Sequence, residues 1–290
     1  MPIEGVEHRT IVADDGTSIA YQVYGQGPAV VFANGLGGDF STWRHQYRAL
    51  GNGRRIISWD YRGLFRSETP RDSSTYSLTW QARDLERILE AEGVTRALFC
   101  GWSMGVQVNF EYYRRRPEQF AGLVVLNGTA GAPFATAFGL PLMSVVVRLL
   151  VDSLRMLSPA LTPLIGYVAR WPGLCAVLKR LGAAAPSLDE QVFADIAEQF
   201  ATIDIDAYLR TFGELGAHDA RDVLSAVSVP ALIVTGSKDF MTPEHTARSM
   251  AETIPNARYL CVDGATHYTA VEFPELVNRH LCDFVASIPY

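Results

Sequence analysis

The chain lacks the features that mark metal-binding, disulfide-stapled or nucleic-acid-binding proteins. Its 290 residues include only four cysteines, and these stand far apart, without the close spacing of a zinc site or a disulfide framework. Acidic residues outnumber basic ones by 31 to 25, which gives a formal net charge of −6. The one basic cluster, Arg114-Arg115-Arg116, stands where a helix would end, and cations suit that position. We expect no metal site and no nucleic-acid partner.

Long uninterrupted apolar segments are also missing. Residues 120–147 carry no charge, but glycine, proline and asparagine interrupt them repeatedly, so they do not predict a membrane-spanning helix. The first ten residues include three charged ones and no apolar core segment, which predicts the absence of a signal peptide. With so few cysteines, this composition favours a reduced, cytoplasmic protein without stable membrane insertion.

The most specific signal surrounds Ser103. An apolar run ends at Gly101, and an amphipathic pattern begins after Gly105. Gly-x-Ser-x-Gly between a strand and a helix is typical of a nucleophile elbow, a turn so sharp that a Cβ two positions before or after the serine would collide with it. The N–H of Met104 would then lie at a helix N-terminus, where negative charge is favoured. The alternative is an ordinary strand-to-helix turn with a capping hydroxyl.

Strands and helices alternate along most of the chain. The predicted strands are residues 8–12, 18–24, 29–33, 55–59, 96–100, 119–126, 232–235 and 259–262. This alternation indicates βαβ units and a parallel sheet. It stops between residues 129 and 225, where about four helices follow one another. We therefore expect a core domain of residues 1–128 and 226–290, and a helical cap (lid) of residues 129–225.

A serine nucleophile needs a base, and His267 is the best placed of six histidines. It follows a predicted strand in Gly264-Ala265-Thr266-His267-Tyr268. Sites in parallel sheets lie at the carboxyl ends of the strands, so this loop would lie near Ser103. A purely structural histidine is the alternative reading.

Two aspartates compete to orient this base. Asp239 follows the strand at 232–235, whereas Asp263 stands four residues before the histidine and could merely hold that loop. Asp60 also ends a strand, but Arg62 and Arg66 beside it favour a loop-bracing ion pair. We favour Asp239, because the chain order Ser, Asp, His fits the elbow pattern.

An oxyanion hole needs two N–H donors, and the loop at residues 34–38 offers the second. Its sequence Asn-Gly-Leu-Gly-Gly allows backbone to approach a substrate closely, so we assign Leu36 as the donor beside Met104. A flexible glycine turn is the alternative; a phosphate loop is disfavoured because no Lys-Ser/Thr follows. The expected substrate contacts are Gly35, Trp102 and Tyr268.

Taken together, the chain resembles the α/β-hydrolase family over residues 8–288. The matching stretches are Asn34-Gly35-Leu36-Gly37, Asp60-Tyr61-Arg62-Gly63 with Arg66-Ser67, Gly101 to Gly105, Gly236 to Asp239 with Pro243, and Gly264 to His267 with Glu272-Phe273-Pro274. The resemblance implies a mostly parallel, eight-stranded α/β sheet with helices on both faces and an inserted all-helical cap. It also implies a triad of Ser103, Asp239 and His267.

The chain departs from the family pattern in two places. Asn34 stands where the family commonly has histidine, which alters the hydrogen bonding behind the oxyanion loop. The segment Gly63-Leu64-Phe65-Arg66-Ser67 replaces the frequent Gly-His-Gly-x-Ser, which alters the loop near Phe65. A nucleophilic Ser103 in place of aspartate argues against haloalkane dehalogenase or epoxide hydrolase chemistry.

We therefore expect a cofactor-free serine hydrolase. Its predicted partners are small to medium apolar esters or lactones, cleaved through an acyl-enzyme on Ser103. Cleavage of C–C, amide or thioester bonds and perhydrolysis would use the same residues, and a non-catalytic ligand receptor is the alternative from another class. The apolar stretch 140–181 is predicted to line the space above Ser103. Neither the individual substrate nor the oligomeric state can be predicted from these residues.

Overall fold

A single sheet organises the molecule, for which the computed structural model describes residues 5–131, 133 and 143–288. Its strands run in the order β1-β2-β4-β3-β5-β6-β7-β8. β1 and β2 pair antiparallel, β2 pairs antiparallel with β4, and all the other pairs are parallel. The strands are β1 Val6–Val12, β2 Ser18–Tyr24, β3 Ala29–Ala33, β4 Arg55–Trp59, β5 Ala97–Trp102, β6 Phe120–Leu126, β7 Ala231–Gly236 and β8 Ala257–Val262.

Helices cover both faces of this sheet, so the predicted fold class is confirmed. β3, β5, β6 and β7 are buried along their whole length, as expected of parallel strands covered on both sides. The helices around the sheet are α1 Arg44–Leu50, α2 Leu78–Ala91, α3 Met104–Arg115, α9 Glu244–Thr253, α10 Thr269–Glu272 and α11 Pro274–Ala286. α2, α3 and α9 pack on one face of the sheet, and α1 and α11 pack on the other.

Five described helices lie in sequence between β6 and β7. α7 and α8 begin at aspartate N-caps, Asp189 and Asp204, whose carboxylates accept from backbone N–H groups of the first turn. The two ends of the segment meet in a β-bridge between Gly131 and Asp219. The helices are α4 Met143–Met156, α5 Ser158–Ala169, α6 Leu174–Arg180, α7 Glu190–Phe200 and α8 Ile205–Ala217.

The apolar stretch from residue 161 to 181 forms two helices, not one. α5 ends at Ala169 and α6 begins at Leu174, with a bend of 83° between them. Pro172 lies in the break, and proline disrupts the helical hydrogen-bond ladder. No single described helix is long and apolar enough to cross a membrane; α5 and α6 reach that length and hydropathy only as this bent pair.

Candidate active site

The turn between β5 and α3 places Ser103 in a backbone conformation that few residues adopt. Its φ is 54° and its ψ is −118°, and a non-glycine residue with positive φ marks strain held by its surroundings. A Cβ on Gly101 would lie 2.7 Å from the backbone of Gly105, and one on Gly105 would lie 2.0 Å from the carbonyl oxygen of Ala33. Only glycine fits at these two positions, which is the steric requirement of a nucleophile elbow.

The loops after β7 and β8 bring the predicted acid and base to this serine. The Nε2 atom of His267 lies 2.9 Å from Ser103 Oγ. Its Nδ1 atom lies 2.9 Å and 3.1 Å from the two carboxylate oxygens of Asp239. Both His267 and Asp239 are buried. The three side chains therefore form one continuous hydrogen-bonded chain.

Asp239 accepts several further hydrogen bonds. Oδ1 accepts from the N–H groups of Met241 and Thr242, both at 2.9 Å. Oδ2 accepts from the Thr242 hydroxyl at 2.6 Å and from the Asn127 amide at 2.9 Å. Burial raises the pKa of Asp239, but His267 and these hydrogen bonds lower it by more, so its pKa lies below the ordinary value. The carboxylate stays charged and can hold Nδ1–H of His267.

Asn127 is a supporting residue that the sequence analysis did not assign. It directly follows β6, and its side chain reaches Asp239 in the loop after β7. Its φ is 44°, a conformation that asparagine tolerates better than most residues. The sequence feature that could have indicated this role is an asparagine directly after a central strand.

The competing aspartate lies elsewhere. Asp263 is exposed and accepts from the Ser237 hydroxyl at 3.1 Å, and the same hydroxyl accepts from Gly264 N–H at 2.8 Å. Within the described part of the chain, Asp263 makes no hydrogen bond to His267. It holds the loop that precedes the histidine, which was the alternative considered for it.

The expected ion pair of Asp60 with Arg62 and Arg66 is wrong, because the described residues show no ion pair between Asp60 and either arginine. Arg62 points into the core and binds both oxygens of Asp84 on α2, each at 2.6 Å. Asp60 braces its loop by accepting from the backbone N–H of Arg66 and from the Gln22 amide, both at 3.2 Å. Burial, together with the nearby charge of Asp39, raises the pKa of Asp60 to about 7.

Asn34 fixes the glycine loop from within the core. Its amide donates to the carbonyl of Trp59 at 2.9 Å, and its side-chain oxygen accepts from Trp43 Nε1 at 2.8 Å and from the Ser58 hydroxyl at 3.2 Å. The backbone oxygen of Asn34 accepts from the Tyr61 hydroxyl at 2.6 Å. An amide offers both a donor and an acceptor, so asparagine anchors this loop without the family's usual histidine.

Two backbone N–H groups remain available at the turn. Met104 is the first residue of α3, and Leu36 stands in the glycine loop that borders the same space. Across residues 5–131 and 143–288, neither N–H donates a hydrogen bond. Both groups are therefore free donors, as the predicted oxyanion hole requires.

Trp102 explains why the loop needs glycine at two further positions. Its Nε1 donates to the carbonyl of His267 at 2.9 Å. A Cβ on Gly35 would lie 2.6 Å from the indole ring, and one on Gly38 would lie 2.9 Å from it. The ring of Tyr268 packs against Trp102 at a centroid distance of 5.8 Å. Gly35, Trp102 and Tyr268, the predicted substrate contacts, all line the same cavity.

This cavity has a volume of about 280 Å³ and opens above Ser103. Its floor consists of the glycine loop, Trp102 and the catalytic-site candidates Ser103 and His267. Its roof is apolar and comes mainly from α6, α7 and α8. The larger roof side chains are Leu174, Leu178, Phe193, Ile196, Phe200 and Phe212.

The predicted contribution of residues 140–181 to this roof is confirmed at three positions, since Ala169, Leu174 and Leu178 line the cavity. Residues 140–142 and the side chains of residues 143–145 and 148 lie outside what the structure describes. α4 packs against α8, and many apolar side chains of α4 and α5 point outward. The exposed ones include Leu149, Leu150, Met156, Leu164 and Tyr167.

Comparison with known proteins identifies the class. A family model described as alpha/beta hydrolase family matches residues 30–280, and the chain belongs to this family. A protein of Azorhizobium caulinodans named carbamate hydrolase RutD is 29% identical over 268 residues, covering 92% of this chain and 95% of that protein. The structure of the enol-lactonase of Burkholderia xenovorans LB400 superposes on this chain with a TM-score of 0.75 at 25% identity. The match covers 96% of this chain and 100% of the enol-lactonase chain.

A lactonase also appears among the curated relatives. The 3-oxoadipate enol-lactonase 2 of Acinetobacter baylyi is 27% identical over 275 residues, covering 93% of this chain and 93% of that protein. These relatives and the family match confirm the predicted class: the chain is a hydrolase enzyme that acts on esters, lactones or related bonds.

Proposed function

We propose that the chain is a serine hydrolase that cleaves carboxylic esters or lactones of small to medium apolar substrates through an acyl-enzyme on Ser103. The observation that carries this proposal is the hydrogen-bonded chain of Ser103, His267 and Asp239 beneath an apolar cavity of about 280 Å³. Small-molecule turnover needs such an enclosed space next to an activated nucleophile.

The proposed mechanism assigns a role to each group. As Ser103 Oγ attacks the substrate carbonyl, His267 Nε2, 2.9 Å away, accepts the hydroxyl proton. Asp239 holds Nδ1–H and stabilises the imidazolium that forms. The N–H groups of Leu36 and Met104 bind the oxyanion of the tetrahedral intermediate.

Collapse of this intermediate completes the first half-reaction. His267 returns its proton to the leaving alcohol oxygen, and the acyl group stays on Ser103. A water molecule then gives its proton to His267 and attacks the acyl carbon, and Ser103 leaves as the hydroxyl. Each step moves one proton between Nε2 and an oxygen of Ser103, the leaving alcohol or water, so the proposed cycle needs no cofactor.

The cavity lining supports apolar substrates. Among the side chains that the structure describes, no Lys or Arg lines the cavity. A substrate carboxylate at the roof would lose its hydration without gaining a partner. We also propose that the chain is divided into a core of residues 1–128 and 226–290 and a cap of residues 129–225. A cytoplasmic location is part of the same proposal.

A substrate screen with a serine-directed probe tests the function. Aryl esters, lactones, carbamates and amides would be compared on the wild type and on Ser103→Ala, with the exposed Ser153→Ala as the matched control. A phosphonylating reagent should add once, at Ser103, and ester or lactone turnover should fall by several orders of magnitude in Ser103→Ala only.

Four outcomes would contradict this assignment. An adduct at another residue, or undiminished turnover by Ser103→Ala, would remove Ser103 from its role. Turnover restricted to amides or carbamates would replace the ester assignment. Ligand binding without turnover of any substrate would favour the receptor alternative.

A further inference from the structure

Two tyrosines give the apolar cavity a second polar position. Tyr208 comes from α8, and Tyr268 directly follows His267, so one belongs to the roof and the other to the floor. Besides the hydroxyl of Ser103, theirs are the only side-chain hydroxyls among the described residues that line this cavity. Tyr268 was an expected substrate contact, whereas nothing in the sequence singled out Tyr208.

Neither phenol has a protein partner. Across the described ranges 5–131 and 143–288, no hydrogen bond involves the hydroxyl of Tyr208 or Tyr268. Two buried tyrosines are paired: the Tyr61 hydroxyl donates to Asn34 at 2.6 Å, and the Tyr112 hydroxyl donates to Gln119 at 2.6 Å. The buried Tyr47 hydroxyl, which lies outside the cavity, has no hydrogen-bond partner among the described residues. Tyr208 and Tyr268 are half-buried. Because tyrosine hydroxyls in apolar surroundings normally find a partner, two unpaired hydroxyls that line one substrate cavity point to a partner on the ligand.

Aromatic packing holds both rings. Tyr208 meets Phe200 edge-on at a centroid distance of 5.5 Å, and a Cβ on Gly37 would lie only 3.2 Å from its ring. Tyr268 meets Phe193 edge-on at 6.0 Å. Rings fixed in this way lose little further freedom when a ligand binds, so their hydroxyls form a prepared subsite.

Both hydroxyls stay protonated at neutral pH. Burial raises the pKa of Tyr208 to about 12, and the neighbouring Tyr268 adds to the rise. Burial also raises the pKa of Tyr268, with a smaller contribution from Glu272. Two neutral O–H donors suit a neutral acceptor oxygen, because no cation lines the described cavity to compensate a charged one.

We propose that Tyr208 and Tyr268 form a subsite that binds a neutral hydrogen-bond acceptor of the substrate, such as a keto, ether or amide oxygen distant from the scissile carbonyl. The inference rests on the proposed hydrolysis at Ser103 and narrows its substrates to oxygenated apolar esters and lactones. A purely alkyl substrate leaves both phenols dehydrated and unpaired, which lowers its kcat/KM.

Matched ester pairs test the subsite. Each pair has the same chain length, with one methylene of the acyl chain replaced by a keto or ether oxygen at successive positions. The wild type should prefer the oxygenated member by about tenfold at one position along the chain. Tyr208→Phe and Tyr268→Phe keep the rings and should bring this ratio towards one, mainly through KM. Tyr167→Phe, on the exposed face of α5, is the control that should keep the ratio.

The outcomes separate this inference from the function beneath it. Ser103-dependent hydrolysis without an oxygen preference at any position would overturn the subsite and leave the proposed function standing. An oxygen preference that survives both phenylalanine substitutions would also overturn it. Absence of Ser103-dependent hydrolysis for every member of the series would overturn the proposed function, and the subsite with it.

Discussion

The floor of the cavity is polar and hydrogen-bonded, whereas its roof is mainly apolar. The floor comes from the loops after β3, β5, β7 and β8. These loops are rich in hydrogen bonds: the carboxylate of Asp239 accepts from Met241, Thr242 and Asn127 in addition to its contact with His267. The roof consists mainly of aromatic and aliphatic side chains of α6, α7 and α8. Reacting atoms must be held within a few tenths of an ångström, and only the floor has the hydrogen bonds to do that.

Polar contacts join the helices that carry the roof to the core, beside apolar ones such as those of Val192 and Phe193 with Val271. Arg44 on α1 forms an ion pair with Asp195 on α7, and His45 Nε2 lies 3.0 Å from Asp189, the N-cap of the same helix. Glu272 accepts from the N–H of Ala185 at 2.7 Å. This difference predicts that the proposed reaction depends on the core loops, whereas substrate selectivity depends on the helices above them. Substitutions should therefore have large, reaction-wide effects in the floor and small, substrate-dependent effects in the roof.

The largest expected effect separates the two aspartates of the floor. Asp239→Asn should lower kcat by roughly 10³- to 10⁴-fold, because an amide in place of the carboxylate favours the wrong tautomer of His267. Asp263→Asn is the matched control and should change kcat little, since Asp263 only accepts from Ser237. Steady-state kinetics on both variants measures this. Greater damage from Asp263→Asn would transfer the acid role to that residue.

The second prediction concerns the contribution of Asp60, a buried carboxyl in the loop after β4, to the stability of the fold. Burial raises the pKa of Asp60 to about 7, so the folded protein favours the protonated carboxyl. This preference stabilises the folded state at low pH, and the stabilisation is lost as pH rises from the ordinary aspartate range through about 7. The free energy of unfolding of the wild type, relative to Asp60→Asn, should fall by roughly 2 to 4 kcal/mol over that range. Urea denaturation at a series of pH values measures it.

A difference between the wild type and Asp60→Asn that stays constant over this pH range would contradict the prediction, because it would mean that burial does not disfavour the ionised form of Asp60.

The third prediction tests whether Asn34 positions the oxyanion loop. In Asn34→Ala, Trp43 Nε1 loses its acceptor and the Trp59 carbonyl loses its donor, so the N–H of Leu36 should lose its fixed position. We expect kcat to fall on the order of 10- to 100-fold with little change in KM. Asn256→Ala, at an exposed asparagine that donates to Ser228, is the control. A rise in KM at unchanged kcat would assign Asn34 to substrate binding instead.

The smallest effect is expected in the roof. Phe200→Ala should shift the preferred acyl chain to greater length and raise kcat/KM for longer esters a few-fold, at about 0.8 kcal/mol for each additional buried methylene. Leu164→Ala, on the outer face of α5 at 56% exposure, is the control. An acyl series from acetyl to decanoyl measures the shift. If kcat/KM declines steadily from acetyl onward in the wild type, the roof closes the cavity to acyl chains and the proposed apolar selectivity is wrong.

The floor could be predicted in greater detail than the roof. Strand and helix alternation predicted the sheet, and the predicted strands at 18–24, 29–33 and 55–59 have the bounds that the structure gives. The glycines around Ser103 form a five-residue motif that the sequence shows directly. The clash at Gly101 is local, whereas the one at Gly105 is with Ala33 on β3. The catalytic roles themselves stay predictions until the variants are measured.

Local rules in the sequence therefore determined the fold class, the elbow and the chain order of Ser103, Asp239 and His267. Only the tertiary structure decided contacts between distant segments: Arg62 binds Asp84 rather than Asp60, and Asn127 reaches Asp239. It also decided that apolar faces of α4 and α5 point outward and that Tyr208 faces the cavity. Apolar periodicity marks a helix face that avoids polar surroundings, but it cannot tell which neighbour covers that face, because the neighbour is chosen by the packing of the whole chain.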